Sequence, residues 1–275
     1  MPGSPRLLFL LTGGTLLMRA ASTGVGESSR RIGVDADAAQ RDLVAEVPAL
    51  ARIGAIESEL VMNLDSADMR PDDWVTIARA VHDAIRQDRA DGIVVVHGTD
   101  TMAYTASALA LLLGPLPCPV VLTGAQRPLA SPRTDARQNL VDAALVATLP
   151  VPEVTIAFAS RALRGVAATK KDSWALAAFD SPSCPPLVEL GLDVEIAPSV
   201  RPKGELGAFD PRIEPRVLAV RVFPGLDPAL LVGAIRAGVR GLVLEAYGTG
   251  TLPHLDGSLI PALREARDRG VPVLV

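Results

Sequence analysis

The chain has 275 residues, 49% of them apolar and only 3% aromatic, with 27 basic against 31 acidic side chains for a formal charge of −4. That length holds one large domain or two ordinary ones with enough apolar residues to fill their cores, and no run approaches the roughly 18 uninterrupted apolar residues of a membrane span. Balanced charge and scarce aromatics offer neither the basic face nor the stacking surface used to bind nucleic acid, so the expected partner is a small molecule.

The first residues imitate a signal peptide: Arg6, then LLFLL, then the small residues Ala20, Ala21 and Ser22. The imitation breaks at Thr12, Gly13, Gly14 and Thr15, which cut the apolar run short. Residues 6–11 are therefore predicted to be a first strand rather than a secretion address. The pair Gly13–Gly14 falls at its carboxyl end, where open α/β sheets put their ligands. Two readings stay open at this point: a turn that merely reverses the chain or cradles a phosphate, and a turn that brings backbone amides against a reacting group.

Further along, 71–88 carries Trp74, Ile77, Ala78, Val81 and Ile85 on one helical stripe, with Pro71 suited to the first turn. Continuous apolar runs at 92–97, 119–124 and 154–159 read as strands buried on both faces, with helices predicted over 101–113 and 135–148 between and after them. Strand and helix in this alternation predict a doubly wound, mainly parallel sheet, and residues 1–180 are read as an N-terminal α/β catalytic domain. From 181 to 215 the chain is rich in Pro and Gly (SPSCPPLVELG, APSVRPKGELG), which suits a linker. A smaller α/β domain is expected over 216–275: strand 217–222, helix 228–237, strand 242–246, helix 258–269, strand 271–275. It stops inside its last strand and is expected to be incomplete.

Cys118 and Cys184 lie far apart and read as thiols of a reducing compartment. Together with His82, His97 and His254 they show no metal-site spacing, so no metal is expected.

The stretch VVVHGTDTMAYTASAL adds a second cluster of hydroxyls at a strand-to-helix turn, now with Asp100 beside Thr99 and Thr101. Helix capping accounts for one of these residues but not for the group. LLTGGTLL and VVVHGTDTMAYTASAL resemble the two signature stretches of the bacterial asparaginase family of threonine amidohydrolases. VMNLDSADMRPDDW, VVLTGAQRPL, RGVAATKKDSWALAAFDSP and LEAYGTG are similar to the same family in the same order. The wording MAYTASAL, TGAQ and RG followed by TK resembles the cytoplasmic, type I branch.

The resemblance implies an amide hydrolase that works without a cofactor on L-asparagine, with L-glutamine as the alternative. It implies Thr15 as nucleophile, attacking the side-chain amide carbon to give a covalent aspartyl-enzyme, and Thr99 as the second threonine, working with Asp100 and Lys170. It also implies substrate binding by Asp100 and Ser66 at the α-ammonium and α-carboxylate. Amides after Gly14 and around Gly98 and Thr99 would hold the oxyanion, and the Ala125 carbonyl would face the leaving amide. A neutral hydroxyl needs such help, because its proton must go to a base and its oxyanion to a set of donors. Lys171 is left outside the site, and His97 is read as packed rather than as a base.

Two departures from the family pattern stand out: residues 15–31 contain no Tyr to close over substrate, and Thr251 stands where the family often has Asn. The family also implies a homodimer or homotetramer. The alternatives kept beside this reading are a glutaminase or amidotransferase relative, a low-activity amino-acid-binding module and a nucleotide-binding α/β protein.

Overall fold

The computed structural model describes residues 3–13 and 43–275. The chain divides into two compact units, Met1–Pro211 and Arg212–Val275.

The first unit is built on an eight-stranded sheet. Its parallel part comprises β1 (Arg6–Leu11), β2 (Ala55–Leu60), β3 (Gly92–Val96), β4 (Val120–Thr123) and β5 (Val154–Phe158), in the spatial order β5-β4-β3-β1-β2. Beyond β5 the sheet continues antiparallel through β6 (Arg161–Arg164), β9 (Val188–Leu190) and the edge strand β10 (Val194–Ile196). Strands β7 (Thr169–Lys170) and β8 (Phe179–Asp180) form a separate antiparallel pair. The expected mainly parallel α/β sheet is present. The Pro/Gly-rich stretch after position 180 is more than a connection, because it carries β9 and β10.

Alternate residues of one strand feed two cores, which is why the strands read as unbroken apolar runs. Leu7, Phe9, Leu11, Val94 and Val96 pack with Leu140, Ala143 and Ala144 of α3 (Ala136–Val146) on one face. On the other, Leu8, Leu10, Ile93 and Val95 meet Ile77, Ala78 and Val81 of α1 (Pro71–Arg86) and Met102, Ala106 and Leu109 of α2 (Met102–Leu113). Each of these large side chains is essentially inaccessible. Truncating one of the leucines to Ala would cost about 2–5 kcal/mol. Helix α1 starts where expected: Pro71 occupies the first turn, and the Asp73 carboxylate accepts the Arg70 N–H at 2.8 Å. It stops at Arg86, two residues short of the predicted end, and Asp88 takes φ 51° as the chain turns toward β3.

The second unit holds a parallel sheet of β11 (Val217–Arg221), β12 (Gly241–Glu245) and β13 (Val273–Leu274), with α4 (Pro228–Arg236) and α5 (Ile260–Asp268) between the strands. Leu231, Leu244, Leu259 and Ala262 form the centre of its core. Among the described residues no helix is long and apolar enough to cross a membrane.

Candidate active site

The carboxyl ends of β1, β3 and β4 converge on one set of loops. Thr12, just past β1, anchors its segment by donating both its N–H (3.0 Å) and its Oγ1 (2.9 Å) to the Val96 carbonyl at the end of β3. Gly13 follows with φ 110° and lies so close to the Leu64 backbone that a Cβ would collide with it. Only glycine fits there, on both conformation and space. Gly14 and Thr15 lie outside the described residues.

The loop after β3 carries the densest chemistry. Lys170 Nζ, reaching across from β7, donates to Thr99 Oγ1 at 2.8 Å and to Asp100 Oδ1 at 2.7 Å. Thr99 is buried; the Lys170 side chain is 16% exposed, whereas that of Asp100 is 64% exposed. The ammonium thus joins an enclosed hydroxyl to a carboxylate that meets solvent. The β7–β8 pairing presents Lys170, and the next residue, Lys171, turns to a different carboxylate, Asp180, at 2.6 Å.

Ser66 is buried in a short 3-10 turn, Ser66–Asp68, whose preceding residue Asp65 accepts the Ala67 N–H. Its carbonyl accepts the Thr101 hydroxyl at 2.7 Å, so the Ser66 turn is tied to the same loop that carries Thr99 and Asp100. Ala125 is buried beside Gln126 in the loop after β4. Gln126 Oε1 accepts the Thr99 hydroxyl at 3.0 Å, while its Nε2 donates to the Ser173 and Ala175 carbonyls, both at 3.2 Å. That loop is itself held by Asp135, whose carboxylate accepts the Gln126 N–H at 2.9 Å and the Arg127 N–H at 3.0 Å. The structure thus brings Thr99, Asp100, Lys170, Ser66 and Ala125 into one linked set of loops, gives Thr101 of the hydroxyl cluster a partner in the Ser66 carbonyl, and adds Gln126, which the motifs alone did not single out.

His97 is enclosed in the core, 1% exposed. Its Nδ1 lies 2.6 Å from the Gly98 carbonyl and must donate to it, so Nε2 accepts from Thr105 Oγ1 at 2.9 Å. Burial drives its pKa down to about 4 against the opposing pull of the Gly98 carbonyl. A neutral imidazole with both nitrogens engaged is a packing group. It also fixes the carbonyl of Gly98, whose next residue is Thr99.

Both cysteines are free and half-buried, and burial pushes the Cys118 thiol up to about 11. Among the described residues no group of three His, Cys, Asp or Glu side chains could hold a metal ion. In the second unit Tyr247 and Thr251 pair with each other across a turn, the Tyr247 N–H donating to the Thr251 carbonyl at 3.1 Å.

Comparison with known proteins covers both units. Residues 6–201 match the family model described as "Asparaginase, N-terminal", and residues 216–275 match "Glutaminase/Asparaginase C-terminal domain". An L-asparaginase of Thermococcus kodakarensis is 38% identical over 273 residues, 97% of this chain and 78% of that protein. Its solved structure superposes with a TM-score of 0.80, covering 98% of this chain and 78% of that one. L-asparaginase 1 of Escherichia coli is 40% identical over 215 residues, 77% of this chain and 62% of that protein. A component of the glutamyl-tRNA(Gln) amidotransferase of Methanothermobacter thermautotrophicus is 38% identical over 244 residues, 84% of this chain and 54% of that protein.

Proposed function

From the premise that the chain belongs to the asparaginase family, we propose that it hydrolyses L-asparagine to L-aspartate and ammonia through a threonine nucleophile. The observation that carries this reading is the contact of Lys170 Nζ with both Thr99 Oγ1 and Asp100 Oδ1.

The proposed proton path reverses the direction of that contact, in which Lys170 Nζ donates to Thr99 Oγ1 and the Thr99 hydroxyl donates to Gln126. In its neutral form the Lys170 amine accepts the Thr99 proton, and the Thr99 oxygen then takes a proton from the attacking hydroxyl, Thr15 in the first half-reaction and water in the second. Asp100 holds the resulting ammonium in place. Positioned proton transfer of this kind contributes roughly a hundred- to ten-thousand-fold. The second oxygen of the exposed Asp100 carboxylate takes the substrate α-ammonium, and Ser66 Oγ donates to the α-carboxylate. The carbonyl of Ala125 faces the leaving amide, and the amides after Gly14 and at Gly98 and Thr99 hold the oxyanion. Attack forms the Thr15 O–C bond; collapse of the tetrahedral adduct breaks the C–N bond as the leaving nitrogen takes back the proton passed to Thr99 and Lys170 and departs as ammonia, and the ester left on Thr15 is then cleaved by water along the same path.

The same proposal includes a homo-oligomer in a reducing, cytoplasmic compartment, a setting that two free thiols suit. Residues 1–180 are proposed as the catalytic domain and 216–275 as the small domain, with 181–215 as a connection that also lends β9 and β10 to the main sheet.

The test is ammonia release from L-asparagine by the wild type, Thr15→Ala and Lys170→Met. Activity in the wild type that collapses in both variants supports the proposal. Unchanged activity in Thr15→Ala removes the nucleophile, and binding of asparagine without ammonia leaves an amino-acid-binding module. Similarity to an amidotransferase component favours running L-glutamine alongside, since the two substrates differ by one methylene, worth about 1–3 kcal/mol in a pocket.

A further inference from the structure

The amino edge of the parallel sheet carries a second concave site. It is a cavity of about 400 Å³ in the first unit, walled by Pro115 and Leu116 after α2, Val154 at the start of β5 and Val166 after β6. Arg201 and Lys203 stand at it with Arg164 and Glu153. Thr99 follows the carboxyl end of β3, which runs parallel to β4 and β5, so this cavity and the Lys170 cluster lie at opposite edges of the sheet.

The charge balance of the cavity is positive. Glu153, nearly inaccessible, is fully engaged: Oε2 accepts Arg164 Nε at 2.8 Å, and Oε1 accepts Arg164 Nη2 at 3.0 Å and the Arg201 N–H at 2.8 Å. Arg164 is also fixed by the Ser199 carbonyl, accepting at 2.7 Å. Arg201 Nε also lies 3.7 Å from Glu153 Oε2, so the carboxylate faces two guanidiniums, and with Lys203, exposed like Arg201, the opening holds three positive charges against one negative. This stands out in a chain of net charge −4. The remaining wall is aliphatic and prolyl, and the volume falls within the usual 300–1,000 Å³ of small-molecule pockets.

We propose that this cavity binds a small organic anion, with a doubly charged head between Arg201 and Lys203 and an apolar body against Pro115, Val154 and Val166. Arg201 contributes a planar fork and Lys203 a compact charge, a combination that suits a phosphate-type head. The rigid Glu153–Arg164 pair forms the floor, already satisfied and needing no rearrangement.

The experiment is calorimetric titration of the full chain with phenyl phosphate, inorganic phosphate and phenol, repeated with Arg201→Gln, Lys203→Gln and Lys170→Met. The expected result is saturable binding of phenyl phosphate, tighter than inorganic phosphate, weakened about tenfold by either glutamine substitution. Lys170→Met should leave it unchanged. Both glutamine positions are exposed, so the variants fold. No saturable binding at millimolar phenyl phosphate overturns the proposal, as does equal affinity in the glutamine variants. Binding of inorganic phosphate as tight as phenyl phosphate removes the apolar subsite, and loss of binding in Lys170→Met alone relocates the anion to the candidate active site. Because the readout is binding, its failure is separate from any failure of the amide hydrolysis reading.

Discussion

Lys170 and Thr99 are separated by 71 positions in sequence, yet Lys170 Nζ and Thr99 Oγ1 meet at 2.8 Å. The neighbouring lysine makes the comparison sharp: Lys171 binds Asp180 instead. Lys170→Met is expected to lower kcat with L-asparagine by about a hundredfold or more, and Lys171→Met to leave it within about twofold. Neither should lower stability by more than about 1 kcal/mol, because the carboxylate partners are at least a third exposed. Steady-state ammonia release with a urea titration of both variants checks this. Equal loss in the two would remove Lys170 from its special role.

Gln126 couples the Thr99 hydroxyl to the backbone at Ser173 and Ala175, three and five residues beyond Lys170. Gln126→Leu keeps most of the volume and removes all three hydrogen bonds. The Thr99 hydroxyl and the 173–175 loop are then free to rotate and shift, and kcat is expected to fall about tenfold, with a smaller change in KM. Gln126→Glu keeps the acceptor for Thr99 but sets a carboxylate against two carbonyls, so it should not rescue the loop. Wild-type kcat in Gln126→Leu would show that Thr99 is held by Lys170 alone.

What could be read beforehand depended on how local the signal was. Strands β1, β3, β4 and β5 announced themselves because both faces are buried, which leaves an unbroken apolar run such as GIVVV. Helix α1 was legible from its stripe and its Pro71 start. Strand β2, AIESEL, gave no such sign, since its charged residues lie at a sheet edge. Strands β9 and β10 gave none either, being three residues each in a Pro-rich setting, with β10 at the sheet edge, where little apolar side chain is needed. Within the site, Thr99 and Asp100 were visible as a hydroxyl and carboxylate at a strand end. Gln126 was not, and the link from Thr101 to the Ser66 turn was not, because both depend on which loops the sheet places side by side. Lys170 was found only through the family resemblance, since its sequence neighbours give no reason to prefer it over Lys171.

His97 sets one pH dependence. In the unfolded chain its imidazole takes up a proton near pH 6.5, whereas in the folded chain burial holds it neutral down to about 4. Between those values the unfolded state binds more protons, so stability falls as the pH is lowered from about 6.5 to 4 and recovers as it is raised. The contribution approaches roughly 3 kcal/mol at the acid end. His97→Asn should be less stable than the wild type at pH 7, because Thr105 and Gly98 lose part of their bonding, but should lose less on going to about pH 4.5. Urea midpoints at both pH values test this. Parallel lines for the two proteins would mean that His97 is already protonated in the fold.

Glu153 sets the opposite kind of test, one of a buried carboxylate whose charge is needed. Burial by itself would raise its pKa, but the hydrogen bonds from Arg164 and the Arg201 N–H, with the charge of both arginines, outweigh it and hold the carboxyl below its ordinary range. A carboxylate with a lowered folded-state pKa adds stability above its unfolded value, near 4.5, and loses it as the pH falls through the folded value. Glu153→Gln offers one acceptor where the fork of Arg164 needs two, and leaves a largely buried guanidinium without its counter-charge. It is expected to cost about 3 kcal/mol at pH 7. In acid the gap must narrow, since the wild type there protonates toward what the variant already is. Pairing the change with Arg164→Met should recover part of the loss, because no buried charge is then left unmatched, Arg201 being exposed. Urea titrations of the two single variants and the pair at pH 7 and about pH 3.5 decide it. A Glu153→Gln protein as stable as the wild type at pH 7 would show that the Glu153–Arg164 pair is not what holds the amino edge of the sheet together.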